Sequence, residues 1–256
     1  MEIALNQLYE WLGQLFYPFC RIGAFFMAVP IIGTQLVPTR IRLGLALATT
    51  VVVAMTLPRA PAVDPFSGAS FLIVVQQLVL GIAMGFLVQL LFHIFVIGGQ
   101  AVAMQNGLGF GTLMDPVNGI NVTSISQLYL MSTNLLFFSM NGHLALIEML
   151  TQSFYSLPIS TAGYDIDRLY FVVEQGSWMF RGAILVALPA VTALLVVNFT
   201  FGVMSRVAPQ MNIIAVGFPF TMVVGLVIIW LTLGNVLPQF ERLLAESYLM
   251  LRNMVN

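Results

Sequence analysis

Long apolar segments follow one another along the chain, separated by proline, glycine or charged residues. A helix needs about 20 apolar residues to cross the hydrocarbon core of a bilayer. Three segments have this length, and stretches such as 135–138 lack the polar–apolar alternation of transmembrane strands. The pattern predicts an all-α fold with about six long hydrophobic helices. The six segments are Phe16–Ile32, Leu43–Leu57, Phe71–Ile97, Leu128–Leu150, Ala183–Val203 and Ile213–Leu237.

The composition agrees with a membrane protein. Of the 256 residues, 59% are hydrophobic and 7% are charged, and the mean hydropathy is +0.97. Because soluble domains carry roughly 25% charged residues, a soluble fold is excluded. The single cysteine, Cys20, excludes an internal disulfide. A net charge of −1 without a basic cluster removes the case for nucleic-acid binding.

Helix breakers and small residues occur inside the apolar segments. Pro189 and Pro219 each remove a backbone hydrogen bond and are predicted to kink their helices. Lipid cannot satisfy the freed carbonyl, so other helices must cover these kinks or the kinks must line a cavity. Gly81 and Gly85 stand four residues apart, a spacing that favours close helix packing within or between subunits.

Four polar residues recur every seven positions across the fourth apolar segment. On a continuous helix this spacing keeps them on one face. An ionisable group at the bilayer centre is costly, so Glu148 is not expected to face lipid. The stripe is either a proton or substrate path or a set of interhelical hydrogen bonds, and its single ionisable member favours hydrogen bonding. The four residues are Gln127, Asn134, Asn141 and Glu148.

Residue patterns for catalysis are missing from the sequence. His93 and His143 have no cysteine, histidine or carboxylate at metal-ligand spacing, and interior hydrogen-bonded histidines are the expectation. A Gly-x-Ser-x-Gly elbow does not occur, and a phosphate loop is impossible without lysine. The chain is therefore predicted to be non-enzymatic, with no cofactor and no metal.

The segment between the third and fourth apolar runs combines flexible backbone with apolar side chains. Glycines at 107, 109 and 111 alternate with apolar residues, and the one acid is Asp115. This is not a dinucleotide fingerprint, because no acidic residue follows about 20 positions later. A pore plug or gate and a buried connector both fit the composition. The candidate gate residues are Asn106, Gly107, Leu108, Gly109, Phe110, Gly111, Met114, Asp115 and Pro116.

Several motifs in order along the chain resemble the FliR family of flagellar biosynthesis proteins. The injectisome export proteins of virulence type III secretion are similar, and the Asn-Gly-His and Arg-x-Ala-Pro-Gln motifs favour the flagellar branch. The absence of lysine departs from the mixed arginine and lysine usage expected of that family. The motifs are Val37–Gly44, the glycine-rich segment ending Met114-Asp115-Pro116, Asn141–Leu144, Arg206–Gln210 and Gly217–Pro219.

The resemblance implies a non-enzymatic core subunit of a protein-export gate. It implies kinked helices arranged as helical hairpins in a membrane-associated, multi-subunit assembly with FliP, FliQ and FlhB homologues and an FlhA homologue nearby. Residues 1–160 would be FliP-like and 161–256 a FliQ-like hairpin, while 106–121 would plug the pore through which unfolded substrates pass. Arg206 and the polar stripe would make contacts between subunits or helices. The expected location is the inner membrane, in the flagellar basal body.

Two other classes of function make different demands on the sequence. A small-molecule transporter or channel predicts charged residues facing each other at mid-membrane and inverted repeats. An intramembrane enzyme predicts a nucleophile–base pair or a metal cluster on facing helices. We find neither pattern. The polar stretch Thr151–Arg181 is expected to be a water-exposed loop.

Overall fold

A computed structural model describes residues 2–34, 36–57, 61, 63–109, 112–114, 121–161, 166–207 and 213–255. Helices dominate, joined by one small antiparallel hairpin and a 3₁₀ turn at Leu233–Asn235. The hairpin strands are β1 (Thr112–Met114) and β2 (Asn121–Thr123). The helices are α1 (Glu2–Ala28), α2 (Thr39–Ala54), α3 (Gly68–Gln105), α4 (Ser124–Ser139), α5 (Gly142–Ser156), α6 (Ile166–Val207), α7 (Ile213–Thr232) and α8 (Val236–Val255).

The all-α prediction is confirmed, but the count of about six long helices is loose. Within the described residues, three helical segments are long and apolar enough to cross a membrane, namely Gly68–Gln105, Asp167–Val207 and Pro219–Val255. A fourth is possible if α4 and α5 together form one broken span. The long helices α3 and α6 extend beyond their apolar runs. Polar residues can continue the backbone hydrogen bonds of a helix wherever its end is hydrated.

The predicted exposed loop at 151–181 is wrong for most of its length. Helix α5 continues to Ser156, and α6 is already helical from Ile166. Asp167, Arg168, Glu174 and Arg181 occupy helix positions instead. Asp167 lies in the first turn of α6, where a negative charge interacts favourably with the helix dipole.

The chain forms two compact units, and each draws on separate stretches of sequence. The first contains 1–90, 140–176 and 246–256, and the second contains 91–139 and 177–245. Each unit therefore takes residues from both predicted parts, 1–160 and 161–256. The likeness of those parts to FliP and FliQ stays a prediction.

In the first unit, α1 and α3 pack closely along a face of small residues. A Cβ atom on Gly81 would lie 2.8 Å from Ala24 Cβ, and one on Gly85 would lie 3.2 Å from Phe25 O. Tyr17 also links the two helices, through a 3.0 Å hydrogen bond between its hydroxyl and that of Ser70. The close packing predicted for the Gly81–Gly85 pair is confirmed, and it occurs within the chain.

In the second unit, the C-terminal part of α3 packs against α4, α6 and α8. The rings of Phe92 and Phe137 meet edge to face at 5.5 Å, and Phe95 meets Phe240 at 5.8 Å. On the α6 side, a Cβ atom on Gly182 would lie 2.7 Å from Ile94 Cδ1. About half of the most apolar stretch of α3 is buried, against 22% in α6 and 17% in the α7–α8 segment. Helix α3 is therefore the most enclosed of the three long segments.

Candidate functional site

The candidate gate loop begins where α3 ends in a glycine cap. Gly107 has φ 78°, a left-handed conformation that glycine adopts without a steric penalty. The Leu108 amide donates to Ala103 O at 2.9 Å, and the Gly107 amide donates to Met104 O at 3.2 Å. These two bonds form a Schellman motif, which satisfies carbonyls that the helix end would otherwise leave open. The first glycine of the glycine-rich segment thus fixes where the loop leaves the helix.

Gly107→Ala is expected to loosen this cap. A left-handed alanine costs about 1–2 kcal/mol, which corresponds to a roughly 5- to 30-fold larger population of the open turn. Hydrogen exchange of the 107 and 108 amides in the purified protein measures that opening. Gly107→Asn is the control, because asparagine tolerates the left-handed region, and it should exchange more slowly than the alanine variant. Equal exchange in all three proteins would contradict the role assigned to Gly107.

The far end of the loop is the hairpin that leads into α4. Met114 lies in β1, opposite Asn121 in β2, and the Leu113–Val122 pair follows. Thr123 Oγ1 accepts a 3.3 Å bond from the Ser126 amide, which caps the start of α4. The Ser126 hydroxyl donates to Val96 O on α3 at 3.0 Å. Both ends of the loop are therefore tied to α3, while Phe110, Gly111, Asp115 and Pro116 lie outside the described residues.

Asn106, just before the glycine cap, is almost fully enclosed. Its side chain is 2% exposed, and neither Oδ1 nor Nδ2 has a hydrogen-bond partner among the described residues. The carboxamide lies against Gly225 on α7, where an added Cβ would collide with Asn106 Oδ1. Helix α6 also reaches this point, because Asn198 Nδ2 donates to Gln105 O at 3.2 Å. The end of α3 is thus held by both α6 and α7.

The predicted single-helix polar stripe is wrong, because the fourth apolar segment is two helices. Asn141 has φ 56° and ψ 28°, a left-handed conformation that separates α4 from α5. Gln127 and Asn134 lie half-buried on α4, whereas Asn141 is exposed at the break and Glu148 is exposed on α5. Seven-residue spacing cannot align side chains across such a break. Contacts of these residues with other subunits stay a prediction.

The remaining predicted residues lie on the two long C-terminal segments. Pro189 is inside α6, where the Thr192 hydroxyl donates to Leu188 O at 2.7 Å and Pro189 O at 3.1 Å. Pro219 is inside α7, and both prolines are exposed. Arg206 is exposed in the last turn of α6, a favourable place for a cation at a helix C-terminus. The kinks and the contacts of Arg206 with other subunits stay predictions.

Sequence reasoning missed Arg21, which is fully buried in the first unit. Its Nε donates to Gln77 Oε1 at 2.8 Å, and its Nη1 donates to Ser153 O at 2.8 Å and Ser153 Oγ at 3.1 Å. Its Nη2 donates to Leu157 O at 2.8 Å, and the guanidinium carbon lies 4.1 Å from the centre of the Phe154 ring. A charged residue inside the apolar run 16–32 was the available signal.

Metal-binding residues do not cluster in the described ranges, where no group of three or more histidine, cysteine, aspartate or glutamate side chains comes together. His93 and His143 are half-buried, on α3 and α5 respectively. The polar features that the structure brings together are therefore hydrogen-bonding groups, around Arg21 in one unit and around the ends of the loop in the other.

A family model described as bacterial export proteins, family 1, matches residues 12–247. The chain belongs to this family. It is 33% identical over its whole length to the flagellar biosynthetic protein FliR of Escherichia coli K12, covering 98% of that relative. The FliR protein of Pectobacterium carotovorum is 33% identical over 96% of the chain and 94% of its own length. That of Bacillus subtilis is 22% identical over 98% of each. The resemblance to FliR is confirmed.

Proposed function

We propose that the chain is a non-enzymatic core subunit of the flagellar type III protein-export gate. The observation that carries the proposal is the end-to-end likeness to proteins named flagellar biosynthetic protein FliR. The family description points to export in general, and the three long apolar segments fit a membrane-associated part of the machinery. Location in the inner membrane, at the flagellar basal body, follows from the same proposal.

The partners would be FliP and FliQ homologues, whose ring this subunit closes, with FlhB in contact and FlhA nearby. Large apolar side chains on α6 and α7 support a partner role, because Phe199 is 74% exposed and Trp230 is 71% exposed. Patches of this kind on a single chain are covered by lipid or by another protein. In this proposal residues 1–160 pack as a FliP-like part and 161–256 as a FliQ-like hairpin.

The loop 106–121 would seal the export channel until an unfolded substrate enters. Two features support a seal rather than a plain connector. The loop leaves α3 through a glycine cap and returns to α3 through Ser126, so both of its ends are anchored to the same helix. Its side chains are nearly uncharged, which suits a segment that must exclude ions from a pore.

Deleting Gly107–Asp115 is expected to make cells that carry the complete assembly leak small ions. Without the segment, more than half of the proposed plug is gone, so the membrane potential should fall and ion uptake should rise. Co-purification of the deleted chain with its partners, with the mass of the complex determined, is the control for assembly. An intact complex of flagellar proteins with unchanged ion permeability would overturn the seal. A chain that purifies with no other export protein would overturn the gate assignment itself.

A further inference from the structure

The carboxamide of Asn106 is buried without a hydrogen-bond partner among the described residues. A buried polar group in this condition is destabilising relative to the same group in water, by a factor of about 5 to 150. The sequence could avoid this cost with an apolar residue, because a helix end does not require asparagine. The position of this amide therefore needs an explanation in terms of what it contacts.

The contact is a notch in α7 that exists because residue 225 is glycine. A Cβ atom there would collide with Asn106 Oδ1 and would lie 2.9 Å from Nδ2. Gly225 and Ile229 are buried and stand one helical turn apart, whereas Val223, Leu226 and Val227 are all more than half exposed. The Asn106 carboxamide is thus seated on the narrow buried face of α7, in the space that the missing Cβ of residue 225 leaves.

Asn106 also stands at the point where the loop leaves α3. The next residue is the left-handed Gly107. The backbone nitrogen of Asn106 still donates to Val102 O at 3.0 Å, as part of the helix. Unwinding of the last turn of α3 would therefore move the Asn106 side chain. Leaving the notch breaks no side-chain hydrogen bond to a described residue and lets the carboxamide bind water.

From these features we infer that Asn106 and Gly225 form a latch that positions the start of the loop. With the carboxamide in the notch, residues 106–109 keep the observed path. With the carboxamide out of the notch, the turn is released. The observed position is held by the backbone hydrogen bonds that end α3 and is possible because residue 225 is glycine. It is opposed by the lost hydration of the carboxamide. The latch rests on the proposed function for its role in export, but its geometry can be tested separately.

The test measures how fast a maleimide labels Leu108→Cys in the full chain purified with the proteins it assembles with. The buried Cys20 gives the background. Gly225→Ala should expel the carboxamide and speed labelling by about 10-fold, the effect of a 1.4 kcal/mol shift. Asn106→Ala should slow labelling. The observed turn then no longer buries a carboxamide that lacks hydrogen bonds, so it opens less often. The control is Gly202→Ala on α6, where an added Cβ meets nothing within 4 Å.

The double variant Gly225→Ala with Asn106→Ala distinguishes a latch from general damage. Removing the carboxamide removes the collision, so the double variant should label at least as slowly as the wild type. Labelling of Gly225→Ala no faster than Gly202→Ala, or a double variant as fast as Gly225→Ala, would overturn the latch. Ion leakage is measured in the same strains. Fast labelling of Gly225→Ala with an unbroken ion barrier would uphold the latch and count against the seal.

Discussion

Replacing Arg21 by methionine is expected to lower the thermal midpoint of the purified protein by about 6–12 °C. The guanidinium of Arg21, on α1, bridges three helices of the first unit. It binds Gln77 on α3 and two carbonyls in and just beyond the last turn of α5. Methionine removes the hydrogen bonds that the guanidinium donates to Gln77 Oε1 and Leu157 O, and a hydrogen bond to a charged group contributes about 1.5–3 kcal/mol. Ser153 O loses less, because it keeps a 3.0 Å bond from the Leu157 amide.

Removing the charge also has a stabilising effect, because a buried guanidinium has lost its hydration and methionine avoids that cost. The two lost hydrogen bonds and the lost contact with the Phe154 ring outweigh this gain, for a net cost of about 3 kcal/mol. In a chain of this size that energy corresponds to the stated shift of the midpoint. Arg21 also stabilises the negative end of the α5 dipole, an effect that methionine abolishes.

Lysine at position 21 is expected to do no better than methionine. Its single ammonium keeps the cost of a buried charge but cannot reach Gln77, Ser153 and Leu157 together as the planar fork does. Arg40→Met is the control, because Arg40 is exposed at the start of α2 and the change in net charge is identical. A midpoint for Arg21→Lys equal to the wild type would show that charge alone matters and would contradict the geometric argument.

The second large effect is expected from filling the contact between α1 and α3. Alanine at position 81 would place a Cβ against Arg21 O, 2.8 Å from Ala24 Cβ and 3.0 Å from Phe25 N. Two of these atoms are backbone, so they cannot rotate away and the helices must separate. Overpacking of this kind costs about 1–3 kcal/mol for each substitution. Separation would also pull Gln77 away from Arg21, so the loss extends beyond the site of the change.

Gly81→Ala combined with Gly85→Ala is therefore expected to reduce the yield of assembled protein and lower its thermal midpoint by about 5–15 °C. Gly23→Ala on α1 is the matched control, since an added Cβ there meets nothing within 4 Å. Alanine is the better helix former by about 1 kcal/mol, so this control should be neutral or slightly stabilising. Similar losses in the control and the double variant would argue against tight packing as the reason for the two glycines.

Local sequence patterns predicted the features that depend on local chemistry. The apolar run at 71–97 became the most enclosed helix, and Gly81 and Gly85 meet a neighbouring helix as their spacing indicates. Gly107 and Gly109 lie beyond the end of α3, although this helix continues to Gln105, past the predicted end of its apolar run at Ile97. In each case a short stretch of chain is sufficient, because helix length, small-residue packing and left-handed turns are set within a few residues.

Other features were missed for two reasons. One turn signal was misinterpreted, and some interaction partners lie far away in the sequence. Asn141 was interpreted as one member of a polar stripe, although an Asn-Gly pair is also a turn signal, and here the turn ends the helix. The partners of Arg21 lie 56 to 136 residues away, and Gly225 is equally remote from Asn106. No local window contains such pairs. The arginine inside an apolar run could have been recognised as buried, but the groups that it binds could not have been predicted.

The position of Arg21 has a consequence for biosynthesis. Its acceptors on α5 and just beyond are made 132 and 136 residues after it. At about 5–20 residues per second, the ribosome needs roughly 7–27 s to cover that distance. During this time α1 has already been made, but the carbonyls that bind its guanidinium do not yet exist. The first unit is therefore completed late in translation, and a nascent chain that stops before Leu157 carries a charged side chain with its final hydrogen bonds unmade.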